Sequence, residues 1–238
     1  MNQTRAAFLI AACLLPATPA QAHLVNTGLG PFYDGVSHFF LSPEDLLPVL
    51  ALALLAGLRG SRTGRLALFA LPGAWLAGGL AGLALPAIAQ FLPTKTAVLT
   101  SVTFLALGAL VALDARLRPR LVTGIAIALG IAHGYLNGSA MSDGKLGALG
   151  LVGTATSIFV AVALAAGLVA SLQRPWTRIV VRVAGSWIAA AGLLLLGWTL
   201  RPEAPRHPAT SSDAKQQTIG NQFELSYSPE QMKRRNRL

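Results

Sequence analysis

Six long apolar segments lie between residues 43 and 200, and they restrict the possible folds more than any other feature of the sequence. The segments cover residues 43–59, 66–90, 97–115, 121–137, 147–171 and 179–200. A run of about 20 apolar residues is what one helix needs to cross the hydrocarbon core of a bilayer. Only 12% of the residues are charged, whereas soluble domains carry about 25%. The sequence therefore predicts an all-α fold, a polytopic membrane bundle of six transmembrane helices over residues 43–200.

Basic residues concentrate in alternate loops between the apolar segments. The first, third and fifth loops contain Arg59, Arg62, Arg65, Arg116, Arg118, Arg120, Arg174 and Arg178. Since Lys and Arg are retained on the cytoplasmic side, these loops are predicted to be cytoplasmic. The chain is then a multi-pass protein of a bacterial inner (plasma) membrane, with its mature N-terminus in the periplasm. The formal net charge of +10 could suggest nucleic acid, but most of the arginines lie in these short loops and serve orientation, so the expected partner is the lipid bilayer and not nucleic acid.

The two ends of the chain differ in composition from the six segments. Residues 1–22 resemble a cleavable signal peptide, with Arg5, an apolar core and an Ala-x-Ala cleavage site at residues 20–22. Cleavage there leaves His23 as the first residue. Its α-amine and imidazole together can chelate a metal; alternatively, it is only the start of a mobile terminus. Residues 23–42 form a periplasmic N-terminal segment, and the polar residues 201–238 are predicted to be a disordered tail.

Metal-ligand candidates cluster just before the first apolar segment. Asp34 and His38 are four residues apart, so a helix would present both on one face. Glu44 and Asp45 follow at the start of the segment. Carboxylate oxygen and imidazole nitrogen are donors for a divalent transition-metal ion. The two acids have an alternative role, because Ser42 as N-cap, with Asp45 in a capping box, is typical of a helix start. His38 has no role in such a cap.

A second candidate region lies in the fourth apolar segment. Gly130, Gly134 and Gly138 recur every four residues and offer a small-residue strip for close helix packing. His133 and Asn137 each precede one of these glycines, so they are expected to face neighbouring helices rather than lipid. An ionisable residue inside a membrane helix indicates a functional site by default. The alternative is a structural hydrogen bond between helices.

The predicted orientation brings the two candidate regions to the same side of the membrane. The fourth segment runs outward, so His133 near its end is expected to meet His38 and Asp45 in a periplasmic vestibule. Asp114, in contrast, lies at the cytoplasmic end of the third segment. Its sequence neighbours Arg116 and Arg118 are the expected partners in a surface ion pair.

The same residues resemble the HupE/UreJ family of hydrogenase and urease accessory membrane proteins. The resemblance is carried by residues 27–35 (TGLGPFYDG), His38, residues 42–48 (SPEDLLP) and the pair His133 and Gly134. It extends over the leader and all six segments. This resemblance implies a nickel or cobalt permease that supplies metalloenzyme assembly, with metalloenzyme maturation proteins as partners.

The candidate ligands depart from the family pattern at two places. Better-known members carry Asp-His where this chain has Glu44 and Asp45, and a second His-Gly step where it has Asn137 and Gly138. Oxygen donors thus replace two imidazoles, which lowers the selectivity for nitrogen-preferring ions. Nickel or cobalt is the first expectation, and copper or zinc remains open. The single cysteine, Cys13, lies in the leader, so the mature chain offers no thiolate to Cu(I).

Three functions compete on these observations. The first is a metal permease with an outward-facing site. Its candidate ligands are His38, Asp34, Asp45, His133, Glu44, His23 and Asn137. The second is a non-transporting accessory protein that binds metal with the same ligands and delivers it to a partner enzyme. The third, a serine-dependent membrane enzyme, is disfavoured because Ser139 is expected beyond the helix end with only His133 as a nearby base. The sequence therefore predicts a protein that is not an enzyme.

Overall fold

The computed structural model describes residues 27–87, 93–142, 146–172 and 175–201, apart from the side chains of residues 93–96. Its regular elements are α1 (Pro31–Leu41), α2 (Pro43–Leu58), α3 (Ser61–Ala84), α4 (Pro93–Ala112), α5 (Pro119–Ser142), α6 (Gly147–Ser171) and α7 (Pro175–Thr199). The described ranges contain no β-strand, which confirms the all-α prediction. The predicted signal peptide, His23 and all of the predicted tail after Arg201 lie outside the described residues.

The six predicted apolar segments correspond one-to-one to α2–α7, while α1 is an additional helix. Four helices, α3, α5, α6 and α7, are each long and apolar enough to cross a membrane, which makes this a multi-pass membrane protein. The axes of α1 and α2 meet at 73°, so the two helices together form one broken span or a re-entrant loop. In α4 the described apolar stretch, Ala97–Ala112, is shorter than a full span. The total of six crossings therefore stays a prediction.

The bend between α1 and α2 follows from the sequence around Ser42. Pro43 begins α2, and a proline disfavours helical backbone in the residue before it, so Ser42 is extended (φ −101°, ψ 94°). The Ser42 side chain makes no capping bond to α2, and the predicted capping box with Asp45 is therefore wrong. The Ser42 carbonyl instead accepts hydrogen bonds from the N–H groups of Asp45 and Leu46. The side chains of Ser42 and Asp45 are thereby left for other partners.

Glycines allow α3 and α5 to pack backbone against backbone. A Cβ atom on Gly134 would collide with the main chain of Trp75, and one on Gly138 would collide with the main chain of Gly79. The predicted glycine strip of α5 is thereby confirmed. His133, which lies next to Gly134 in α5, is only 2% exposed.

The helix pair α4 and α7 has its own glycine contacts, because Cβ atoms on Gly108 or Gly192 would collide with the partner helix.

The centre of the bundle is occupied by α2. Its side chains Val49, Leu52 and Leu55 have no exposed surface. α2 therefore separates the two ends of the molecule with a column of tightly packed apolar residues.

Consecutive helices from α2 to α7 alternate in direction, so the bundle has two ends. The cavity end is defined here by Asp45 near the start of α2 and Asn137 near the end of α5. The arginine end is defined by Arg59 after α2, Asp114 after α4 and Arg178 in the first turns of α7.

The arginine end is tied together by one carboxylate. Asp114 accepts hydrogen bonds from Arg59 and from Nη1 of Arg178, the latter at 3.2 Å. The expected ion pair of Asp114 is therefore present, but its partners are Arg59 and Arg178 instead of its sequence neighbours Arg116 and Arg118. The turn after α4 explains the difference, because Asp114 adopts a positive φ of 49° and its carboxylate bonds to arginines of other helices.

Candidate functional site

A cavity of about 930 Å³ lies at the cavity end of the bundle. Asp45 of α2 and the pair His133 and Asn137 of α5 line it, together with His38 of α1. α4 and α7 supply an opposite wall that includes Phe104. Side chains from distant parts of the chain thus share one space, as the predicted orientation of the segments requires.

Asp45 is the centre of a hydrogen-bond network in this cavity. Its side chain is 4% exposed. Nδ1 of His133 lies 3.1 Å from Oδ1 of Asp45, and Nδ2 of Asn137 donates to Oδ2 at 2.8 Å. An ionised carboxylate only accepts hydrogen bonds, so Nδ1 of His133 carries the proton in this contact. The Asp45 carboxylate thus accepts one hydrogen bond from an imidazole and one from an amide.

Asn137 connects Asp45 to His38. Its amide nitrogen donates to Asp45 and, at 3.2 Å, to the backbone carbonyl of His133. Its amide oxygen therefore faces Nε2 of His38, at 3.1 Å, and Nε2 is the donor. This assignment leaves Nδ1 of His38 to accept from the hydroxyl of Ser42, at 3.4 Å. The network runs without conflict from Ser42 to His133.

The second ring nitrogen of His133, Nε2, has a different environment. It is buried and has no hydrogen-bond partner among the described residues. Because Nδ1 carries the proton, Nε2 holds a free lone pair. Leaving a buried polar atom unpaired costs about 1–3 kcal/mol. An imidazole that donates one N–H to a carboxylate and leaves the other nitrogen free has the arrangement of a metal-ligating histidine.

The remaining predicted ligands are placed differently. Glu44 lines the same cavity and is exposed. Asp34 does not line it; its carboxylate accepts hydrogen bonds from the backbone N–H of Thr27, at 2.6 Å, and from the Thr27 hydroxyl. Asp34 thus ties the segment before α1 to that helix. His23 lies outside the described residues, and its role as a ligand stays a prediction.

The network is not a finished metal centre. No group of three or more His, Cys, Asp or Glu side chains in the described ranges is arranged to hold a metal ion. The reason is visible in the hydrogen bonds, because the Asn137 amide lies between His38 and Asp45. The nitrogen that stays free to bind a metal ion in this arrangement is Nε2 of His133.

Sequence reasoning missed two contributors to the site. The sequence predicts Ser42 as a helix cap, although its position four residues after His38 is a spacing at which side chains meet on a helix. Trp75 packs beside His133, with ring centroids 5.7 Å apart. Nothing in the sequence pairs these two rings.

The sequence predicts Ser139 beyond the end of the helix. In the structure it lies within α5, and its hydroxyl donates to the carbonyl of Leu136.

Fold and site together define a class: a multi-pass helical membrane protein whose bundle encloses a carboxylate-anchored imidazole. The family model described as HupE / UreJ protein matches residues 11–195. The chain therefore belongs to the HupE/UreJ family. Members of this family are accessory or transport proteins rather than known enzymes, and membership suggests a nickel or cobalt accessory membrane protein. No curated protein and no solved structure matches the chain significantly.

Proposed function

We propose that the protein is an inner-membrane permease for a divalent transition-metal ion, with nickel or cobalt as the first candidates. One observation carries the proposal. Nε2 of His133 is buried without a partner while Nδ1 is held by Asp45, in the family to which nickel and cobalt accessory proteins belong. Copper and zinc also accept imidazole nitrogen and stay secondary candidates.

The first step in this proposal is capture of the ion. Glu44 is an exposed carboxylate on the cavity wall, so it attracts a cation to the cavity. His133 then binds through Nε2, and Asp45 keeps the imidazole in the required tautomer. For His38 to become a second ligand, its Nε2 proton must leave and its bond to Asn137 must break.

The outward orientation of the site rests on charge. The arginine end contains the arginine-rich loops, and the positive-inside rule assigns it to the cytoplasm. The cavity end is then periplasmic, and transport into the cell requires the ion to pass the arginine end. During transport into the cell, the ion would pass from His133 toward the arginine end.

A second candidate function is metal delivery without transport, and one observation favours it. Between the cavity and the arginine end, the α2 side chains Val49, Leu52 and Leu55 have no exposed surface. Arg59 and Asp114 then close the far end. A delivery protein leaves this packing intact, whereas a permease has to open it.

The experiment uses the full-length protein in two formats. Nickel binding is measured by calorimetry in detergent, and nickel accumulation is measured in sealed vesicles. We expect His133→Ala to weaken binding by about 100-fold or more, because it removes a metal ligand. Thr123→Ala is the control and should bind like the wild type, because the Thr123 hydroxyl lies at the arginine end of the same helix and bonds to the carbonyl of Pro119.

The two formats separate the two functions. Binding together with accumulation supports the permease. Binding without accumulation contradicts transport and supports delivery. Absence of nickel and cobalt binding by the wild-type protein would contradict both.

A further inference from the structure

We infer that the cavity receives the metal as a complex with a small amino-acid-type chelator, and not as a bare hydrated ion. This inference rests on the proposed function and specifies its substrate. It follows from three properties of the described cavity: the number of free donors, the volume and the charge.

The protein offers too few free donors to replace the ligands of a bare ion. Both nitrogens of His38 have hydrogen-bond partners, and both oxygens of Asp45 accept from buried donors. Among the described residues that line the cavity, His133 contributes a buried nitrogen, Nε2, without a hydrogen-bond partner. Glu44 adds an exposed carboxylate. A transition-metal ion held by one or two protein atoms must keep ligands of its own.

The volume of the cavity exceeds what a hydrated ion needs. Six waters at about 30 Å³ each occupy roughly 180 Å³, and the cavity measures about 930 Å³. Volumes of about 300–1,000 Å³ are typical of sites for small organic molecules, which combine a mostly apolar lining with a few polar groups. The wall opposite the network fits this description, with Phe104 and Leu195 beside the hydroxyls of Thr100 and Ser101.

The charge of the lining selects the kind of chelator. Among the described lining residues, Glu44 and Asp45 are acidic and none is Lys or Arg. A negatively charged metal complex would therefore be repelled, whereas a positively charged one would be attracted. A divalent ion with one amino-acid anion has a single positive charge. The same ion with citrate is negative.

The test compares three probes on the full-length protein in detergent: nickel alone, a one-to-one nickel–L-histidine complex and a one-to-one nickel–citrate complex. L-Histidine is tridentate and leaves coordination positions open for Nε2 of His133. We expect nickel–L-histidine to bind about tenfold more tightly than nickel alone, and nickel–citrate to bind least tightly. Radiolabelled histidine should co-elute with the metal and protein in gel filtration.

A pair of substitutions on α4 tests the volume directly. Ala97→Leu adds bulk to the cavity wall, while Ala106→Leu makes the same change at an exposed position that does not line the cavity. We expect Ala97→Leu to weaken nickel–L-histidine binding about tenfold and to leave the affinity for nickel alone unchanged. Ala106→Leu should change neither.

The outcomes distinguish this inference from the proposed function. Nickel bound without co-eluting histidine would overturn the inference, as would an Ala97→Leu effect that is equal for both probes. Both results would leave the metal-binding function in place. If no probe binds the wild-type protein, the proposed function fails and the inference fails with it.

Discussion

Each end of the bundle has a carboxylate near a helix terminus that joins different helices, and the partners of these two carboxylates differ in chemical type. Asp114 at the arginine end bonds to the guanidinium groups of Arg59 and Arg178. Asp45 at the cavity end bonds to an amide and an imidazole. The first carboxylate is neutralised and joins helices. The second shares its oxygens between Asn137 and His133, whose Nε2 has no partner among the described residues, so this end is suited to bind a cation.

The packing of α5 shows the same contrast. Near the cavity end, Gly138 lies so close to the backbone of α3 that a Cβ atom has no room, whereas Gly124 near the arginine end has nothing within 4 Å of such an atom. Close backbone contact holds the half of the helix that carries His133 and Asn137. The half without candidate ligands tolerates more variation.

The largest expected effect concerns the two carboxylates. Asp45→Asn removes the negative charge and places an amide where two donors converge, so nickel affinity should fall by about 10- to 100-fold. Asp114→Asn is the matched control and should alter nickel affinity by less than about twofold, because it acts at the other end. Calorimetry on both variants measures this. Equal losses in the two variants would remove the distinction between the ends.

A smaller effect is expected from the glycines of α5. Gly138→Ala forces α3 and α5 apart, and the free energy of unfolding should fall by about 1–3 kcal/mol. Gly124→Ala has open space and should be neutral or stabilising by up to about 1 kcal/mol, since alanine favours helix. Denaturant titration in mixed micelles, followed by circular dichroism, gives both values. A destabilised Gly124→Ala variant would show that the two halves of α5 do not differ.

The smallest effect is expected from Arg178, the more exposed of the two arginines that bond to Asp114. The side chain of Arg59 is 11% exposed, and that of Arg178 is 56% exposed. Arg178→Ala should therefore cost less than about 1 kcal/mol, as is usual for exposed ion pairs. Arg59→Ala leaves Asp114 without its more buried partner and should cost about 1–3 kcal/mol. The same denaturant titration measures the free energy of unfolding of both variants. Equal losses for Arg59→Ala and Arg178→Ala would contradict a ranking of the two arginines by burial.

Much of the fold could be predicted because hydropathy and charge act over whole segments. All six apolar segments are helices, but their bounds shifted, as with 66–90 against Ser61–Ala84. The helix begins earlier because Arg62 and Arg65 are accommodated in its first turns. The hydropathy pattern does not predict α1 as a separate helix, because α1 has 11 residues and is shorter than a membrane span.

The site was predictable only in part. Segment direction placed His38, Asp45 and His133 at one end. The direction of the hydrogen bonds, which decides that Asn137 separates His38 from Asp45, depends on coordinates and not on residue types. The partner of Asp114 illustrates the same limit, because several arginines in the sequence could satisfy its charge.

The break at Ser42 determines how this site could be transferred to another protein. His38 and Asp45 are seven residues apart, a separation that brings two side chains to the same face of a straight helix. Here His38 belongs to α1 and Asp45 to α2, and the axes of these two helices meet at 73°. Grafting the sequence from His38 to Asp45 onto an unbroken helix would keep every residue and lose the site. The unit that has to be transferred is the bend between α1 and α2, together with Asn137, which bonds to both His38 and Asp45.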